Sequence, residues 1–593
     1  MGPPDGELKN TRGCRILIAE MAIIILLAAK IVASFLPAGR LWGINQLAYY
    51  PAWLAIIFLG VIISLIIVLS NNNVSHNIGR YAHRLARVGK SLPRPLIFLV
   101  AAILFSALFY LLKDRTNLLG DGLLRIGELQ NRRLEDIFEA HSAEPLDYLL
   151  HYIFYSYFLI TFKIKPIVSY QILSCLAGLF YILAAYLFAR RVKSENLSFS
   201  AAFAYLLGWG GIMLFFGYVE SYALAAAAML FLFNYALKYF QGSGKDYWVI
   251  GLFLLCFFLH NTALIFLPSL VYLLFRGTWS QKTRPIIMTA IILFVVGIWV
   301  GVAYGSKEGS ILLMPASSSE PNYLLLGKAH LADILNELLL ISPACVVLIW
   351  LQSIKSELWR RRYRIFCWLA MIGGLAFVLM VDPVLGMARD WDLFALALLG
   401  LHVALLVGVN WKESNQFIQK AILIIPVSLV FFGVLLGSNE ASSIARYKNI
   451  AALDDARSRY AYERLGTYLL LRQRWQEAED VYNLSLKKES HFRTYVGLAY
   501  VQYQEGKFKE AQQNFEKTLE LKPDQVLALY SLCNIYAGQG RFKEARDLLE
   551  RLKKAPRGGI VAVNDRAIAE LEEKLNQQML NQGFPSDSSD IRQ

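Results

Sequence analysis

Residues Lys113–Tyr152, KDRTNLLGDGLLRIGELQNRRLEDIFEAHSAEPLDYLLHY, place a high density of carboxylates and arginines directly after an apolar run. That run, 95–112, is long enough to cross a bilayer. Asp121 stands between two glycines in Gly120-Asp121-Gly122. Glu144 and Asp147 flank Pro145-Leu146 just before the chain turns apolar again. Ionisable groups at membrane depth are costly and tend to mark sites rather than structure. The loop therefore reads as the floor of a site at a membrane surface, provided the rest of the chain places it there.

At 593 residues the chain exceeds one core, so at least two domains are expected. Apolar residues make up 56% and charged residues 18%, with a mean hydropathy of +0.43. A soluble chain of this length would carry more charge, so most of it belongs in a bilayer. The net charge of +14 does not point to nucleic acid, because the excess sits in short clusters between apolar runs, as the positive-inside bias predicts. The six cysteines are scattered and form no disulfide or zinc spacing. The basic start followed by a long apolar run predicts a retained anchor rather than a cleaved signal.

Apolar runs read as crossings at roughly 16–37, 47–70, 95–112, 167–189, 199–216, 219–240, 247–260, 261–276, 285–304, 336–352, 365–381, 393–410 and 421–437. Residues 247–276 read either as two crossings or as one broken helix around His260-Asn261. If the runs alternate, the basic clusters around Arg84, Arg190, Arg276, Arg361 and Lys412 share the side of the basic N-terminus, which becomes cytoplasmic. Counting the aromatic stretch 147–162 as a crossing would reverse every later basic loop, so it is expected to lie in the outer interface. Asp121, Glu144, Asp147, Glu220, Asp382, Asp390 and Asp392 then all fall on the outer side. Glu220, in FFGYVESYAL, has almost no loop around it. Loop 305–335 reads as a mobile lid or as a plain connector.

From about residue 459 the composition becomes that of a soluble helical protein. Trp475/Ala478/Tyr482, Phe508/Ala511/Phe515 and Phe542/Ala545/Leu549 repeat one pattern, with alanines 33 and 34 residues apart. This is the tetratricopeptide (TPR) period. Small residues let paired helices approach and the aromatics fill the gaps, so both are packing residues. Such arrays form surfaces that hold proteins or peptides. Residues 560–580 read as a capping helix.

No P-loop, dinucleotide fingerprint, zinc spacing or nucleophile elbow occurs. Chemistry, if any, must use carboxylates and arginines. Two residue sets carry a family resemblance: Gly120-Asp121-Gly122-Leu123-Leu124-Arg125 and Glu144-Pro145-Leu146-Asp147-Tyr148-Leu149-Leu150. With the helix ending Ala189-Arg190-Arg191, they resemble the first outer loop of GT-C glycosyltransferases. The resemblance covers roughly 95–437 and leaves the first two crossings as an addition. A membrane domain followed by TPR repeats is also similar in architecture to transmembrane-and-TPR protein O-mannosyltransferases. It implies an all-α fold: a polytopic transmembrane helical bundle followed by an α-solenoid of TPR repeats. It also implies a polyprenyl-phosphate sugar donor and a catalytic Asp121. Two positions depart from the pattern: Gly122 stands where many relatives carry a second acidic residue. Glu144 stands where the lipid A aminoarabinose transferases have a lysine.

A lipid-phosphate leaving group is already acidic, so the acceptor hydroxyl chiefly needs a base. Asp121 is assigned that role, since flanking glycines allow close approach. The phosphate needs cations, preferably an Arg fork. Arg389, between Asp382 and Asp390-Trp391-Asp392, is the first candidate, with Trp391 offering a face for a sugar. Arg125, four residues after Asp121, is the second, set against an ion pair. Glu144, Asp147, Glu220, His260 and Asn261 complete the expected substrate surface, and a divalent metal between Asp121 and Glu220 or Glu144 stays open. The expected organisation is 1–94 as an N-terminal hairpin with a basic loop, 95–437 as the catalytic membrane domain and 438–458 as a linker. A TPR domain at 459–580 and a disordered tail at 581–593 follow. The expected setting is a bacterial inner membrane, or alternatively the ER membrane, with the TPR domain on the periplasmic or lumenal side. Expected partners are the lipid-linked sugar, membrane lipids and a protein at the TPR domain. The competing reading is a non-catalytic scaffold that recruits proteins through its repeats.

Overall fold

The computed structural model describes the chain except residues 1–4, 72, 75–76, 78–92, 132–140, 195–196, 277–312, 315–322, 353–357, 410, 412–413, 557–562 and 583–593. Among the described residues it is helical throughout, with no strand. It divides into two compact units, Met1–Ile450 and Ala451–Gln593.

The first unit is built from apolar helices whose outward faces are as apolar as their inward ones. Helix Ala52–Ser70 buries Ala55, Leu59, Ile62 and Ile66, one stripe at helical spacing. It exposes Trp53, Ile56, Ile57, Val61, Leu65 and Ile67 on the remaining faces. Water would penalise such a surface and lipid would not. Helix Trp391–Gly408 is instead buried nearly all round and runs through the middle of the bundle. Helix Leu358–Met380 packs closely along it, because a Cβ at Gly374 would overlap the Ala397 carbonyl; small residues are how apolar helices approach without a hydrophobic drive.

Seven described helices are long and apolar enough to cross a membrane: Gly13–Ala33, Ala52–Ser70, Ile167–Val192, Tyr222–Phe240, Arg360–Met380, Trp391–Gly408 and Gln416–Gly437. The run expected at 336–352 is not one straight crossing. It is the pair Lys328–Ile341 and Cys345–Leu351, bent by 95°, an eighth span if the two count together. The run 199–216 holds only the nine-residue helix Phe199–Leu207 followed by a 3-10 turn, Gly210–Phe215. Leu96–Leu111, Asp246–Leu259 and Asn261–Phe275 are shorter apolar helices. Residues 247–276 are therefore broken, at His260, whose backbone is extended and whose Nδ1 accepts the Thr262 amide at 3.1 Å. The run 285–304, most of loop 305–335 and the 583–593 part of the expected tail lie outside the described residues.

The aromatic stretch after Asp147 is a short helix, Pro145–Ile153, that loosens into the π-helical turn Phe154–Leu159 and stops at left-handed Lys163. Its Tyr157, Phe158 and Phe162 are exposed.

The first two long helices are more than an addition, because the turn between them is bolted into the bundle. Asp333 accepts from Arg40 at 2.6 Å, from Trp42 Nε1 at 2.9 Å and from the Tyr323 hydroxyl at 3.1 Å. Asn336 accepts the Gly43 amide at 2.9 Å and donates to the Arg40 carbonyl at 2.9 Å. The stretch expected as a linker, 438–458, contains helix Glu440–Ala451, which continues the first unit: Ser442 donates to the Tyr49 carbonyl at 3.2 Å.

The second unit is three helix pairs and a cap. The pairs are Asp455–Leu471 with Trp475–Leu486, Phe492–Gln504 with Phe508–Leu521, and Val526–Gly538 with Phe542–Lys554; the cap is Asp565–Asn581. Ala478, Ala511 and Ala545 are fully buried, with Phe515 and Tyr482 beside them. Tyr482 fills the space left by Gly466 and Gly497.

Two outcomes follow from this packing. Gly497→Val would drive a side chain into the Tyr482 ring and should cost about 1–3 kcal/mol. Limited proteolysis of the full-length protein should then cleave within 451–593 at lower temperature than in the wild type. Asp333→Ala removes the acceptor of three donors and should lower the melting temperature of the detergent-solubilised protein, at a cost of about 1–3 kcal/mol.

Candidate functional site

Backbone hydrogen bonds gather the expected outer loops at one end of the bundle. The Asp114 amide donates to the Phe216 carbonyl at 2.8 Å and the Arg115 amide to Gly437 at 3.0 Å. The Gly120 amide donates to Arg389 at 2.8 Å, and the Asn261 amide to Ala143 at 2.7 Å. The loop 113–144 thus shares one edge with four other segments far apart in sequence.

Gly120 is the closest point of this convergence. Its φ of +61° is left-handed, and a Cβ there would sit 2.5 Å from Glu220 Oε1, 2.8 Å from Asp392 Oδ2 and 3.1 Å from the Tyr218 hydroxyl. The same Glu220 oxygen accepts the Asp121 amide. Asp121, Glu220 and Asp392 are therefore neighbours, as is the carbonyl end of Arg389. Asp121 is half-buried, whereas Glu220 and Asp392 are buried.

Helix Gly122–Asn131 starts directly after Asp121 and carries Arg125 one turn later. The i,i+4 relation to Asp121 is made by backbone, the Arg125 amide donating to the Asp121 carbonyl at 3.0 Å. The guanidinium instead pairs with Glu144, and its Nε lies 3.3 Å from Glu220 Oε2. Arg125 is thus an ion-pair clamp between two carboxylates. Glu144 also takes a contact from His141 Nδ1 at 3.2 Å.

These partners separate the carboxylates. Burial would raise the Glu144 carboxyl, but Arg125 and His141 outweigh it and hold it well below the usual range. Burial pushes the Glu220 carboxyl up to about 8; Arg125 opposes this and the nearby Asp121 carboxylate adds to it. Burial, again opposed by Arg125, holds Asp147 well above its usual range, and His151 Nε2 is its neighbour at 3.5 Å.

The remaining expected residues sit around this core. His260 is buried against Tyr222, ring centroids 4.6 Å apart, and Asn261 ties its break to the strand of chain leading to Glu144. Arg389 is buried. Asp390 accepts the Leu385 amide at 3.1 Å and closes the turn before helix Trp391–Gly408. Trp391 is only 3% exposed and packs on Tyr218 at 5.5 Å, so it is a wall residue rather than an open stacking platform. Among the described residues, no three His, Cys, Asp or Glu side chains are placed to share a metal ion.

Several neighbours of the site escaped the sequence reading. Asp114 ends the 95–112 run and accepts the Thr116 and Asn117 amides at 2.7 and 2.9 Å. Glu337, fully buried in helix Lys328–Ile341, has neither carboxylate oxygen hydrogen-bonded. An acidic residue inside LADILNELLLI was the signal for it. Arg446 and Tyr447, on helix Glu440–Ala451, reach the same end of the bundle, and the ordinary sequence around them gave no signal.

Comparison with known families speaks to the second unit. Residues 502–561 match the tetratricopeptide repeat family. TPR repeats generally mediate protein–protein interaction, which supports a protein partner for this unit. No curated protein matches the chain.

The Glu220 environment has a pH signature. The folded chain keeps a proton that the unfolded chain releases above about pH 5, so stability should fall as pH rises from about 5 to 8. Glu220→Gln cannot ionise and should flatten that slope in melting curves of the solubilised protein.

Proposed function

We propose that this chain is an integral membrane glycosyltransferase of GT-C type. It moves a sugar from a polyprenyl-phosphate carrier to a hydroxyl acceptor at the outer end of the bundle, and its TPR array holds a protein acceptor or partner. One observation carries the reading: Asp121, half-buried, stands where Glu220, Asp392 and the Arg389 turn converge around a glycine that admits no side chain. Carboxylates concentrated at such depth favour a site over structure.

In the proposed reaction the acceptor oxygen attacks the anomeric carbon while Asp121 takes its proton. The bond from that carbon to the phosphate oxygen breaks, and the polyprenyl phosphate leaves with the electron pair. Glu220 positions Asp121 by accepting its backbone amide, and Arg125 holds Glu220 and Glu144 in place. The membrane is taken to be a bacterial inner membrane with the site and the TPR array on the periplasmic side, the ER membrane and lumen being the eukaryotic counterpart.

Asp121→Asn keeps the shape and removes the base. It should lower transfer at least about 100-fold in membranes supplied with lipid-linked sugar, with insertion and melting temperature unchanged. Full activity in that variant would remove Asp121 from the chemistry and leave a scaffold whose repeats recruit proteins.

A further inference from the structure

A cavity lies beside the carboxylate cluster, on the other face of the Tyr218–Trp391 pair. It offers about 50 Å³ to the centres of water-sized molecules, room for a few waters or one tetrahedral oxyanion. Among the described residues, two polar side chains on its wall lack hydrogen-bond partners where they meet it. Arg446 is 6% exposed, its Nε has no hydrogen-bond acceptor, and the guanidinium makes one long contact, 3.5 Å to the Trp42 carbonyl. The Tyr447 hydroxyl is likewise buried and without a partner among the described residues, whereas the Tyr218 hydroxyl lies on the carboxylate side, beside Gly120, Glu220 and Asp392.

A guanidinium only donates, and the Tyr447 phenol can donate toward the same space. Leaving such donors dry is expensive, most of all for a charge. What satisfies both together is one group rich in acceptor oxygens and negative charge. The carboxylate on the wall, Asp114, does not serve. Its Oδ1 is already taken by the Thr116 and Asn117 amides. Apart from Thr116 and Ser443 the rest of the wall is mostly apolar, including Leu112, Leu340 and Val434 from three helix ends.

We propose that this cavity binds a phosphoryl group, held by the Arg446 guanidinium and the Tyr447 hydroxyl. The site stands on these donors whether or not a sugar is transferred. Where the proposed transfer holds, the group is the phosphate of the lipid carrier, and the apolar wall receives the first part of its chain.

The test is binding to the purified full-length protein in detergent, read as a melting-temperature shift and as tryptophan fluorescence, with farnesyl phosphate, farnesol and inorganic phosphate as probes. Farnesyl phosphate should bind the wild type. Arg446→Gln should weaken it about tenfold or more, and Tyr447→Phe several-fold. Farnesol should bind more weakly and be indifferent to Arg446→Gln. Inorganic phosphate protecting as well as farnesyl phosphate would assign the site to free phosphate, and protection by farnesyl phosphate alone would assign it to a lipid headgroup. No binding of either phosphate to the wild type would overturn the proposal. So would unchanged affinity in the folded variants; Tyr447→Phe decides the matter if Arg446→Gln fails to fold. Because the readout is binding, a failed transfer assay leaves this result standing, and the converse also holds.

Discussion

A single carboxylate, Glu220, holds the candidate site together. It sits in a turn of a few residues between Phe215 and Tyr222, so the backbone can hardly move it. One oxygen accepts the Asp121 amide and the other faces Arg125, which in turn grips Glu144. Two ends of the loop 113–144 are thereby tied to one rigid point. The energetics favour retention once formed, because removing either partner of a buried ion pair strands the other at a cost of about 3–5 kcal/mol. The same burial sets the chemistry, since it raises Glu220 while Arg125 lowers Glu144. One arginine shared unequally between two carboxylates gives them opposite charge habits.

The membrane supplies the second constraint, and it explains the role of the N-terminal turn. Helices with apolar outer faces gain little from one another by the hydrophobic effect in lipid, so polar contacts and close packing must hold them. Asp333 and Asn336 do this for the N-terminal hairpin by binding Arg40, Trp42 and Gly43. The Trp42 carbonyl then meets Arg446, so the hairpin reaches the wall of the cavity as well as the outside of the bundle.

How much of this was legible follows from which signals are local. Apolar length and the 33–34 residue alanine spacing are local, and the helical bundle and the TPR unit followed from them. Crossing number was less legible, because hydropathy does not register a break such as His260 or a 95° bend after Ile341. Asp121, Glu220 and Asp392 could be placed on one side by counting runs, yet their contact depends on Gly120 fitting between them, which is a tertiary fact. Arg125 shows the limit of spacing arguments. Its helical relation to Asp121 was right along the backbone, while its side chain went to Glu144, nineteen residues on, as the fold allowed. Arg446 lay in an unremarkable amphipathic stretch and became visible only through the cavity it faces.

The charge balance of the site gives its geometry a direction. Glu220 and Asp392 face each other across the space a methyl group would fill, with Asp121 beside them and Asp390 two positions before Asp392. Carboxylates this close in a low-dielectric setting cannot all ionise, so the cluster holds at least one proton and resists a further negative charge. An anion entering this end of the bundle is therefore steered away from the carboxylates. The Tyr218–Trp391 wall separates them from Arg446, the buried cation whose cavity also holds the unpartnered Tyr447 hydroxyl. A molecule with a hydroxyl at one end and a phosphate at the other would meet proton acceptors on one side of that wall and hydrogen-bond donors on the other. In the proposed transfer, two aromatic rings would keep proton acceptance at Asp121 apart from charge binding at Arg446, so that the base is not neutralised by the cation that holds the phosphate.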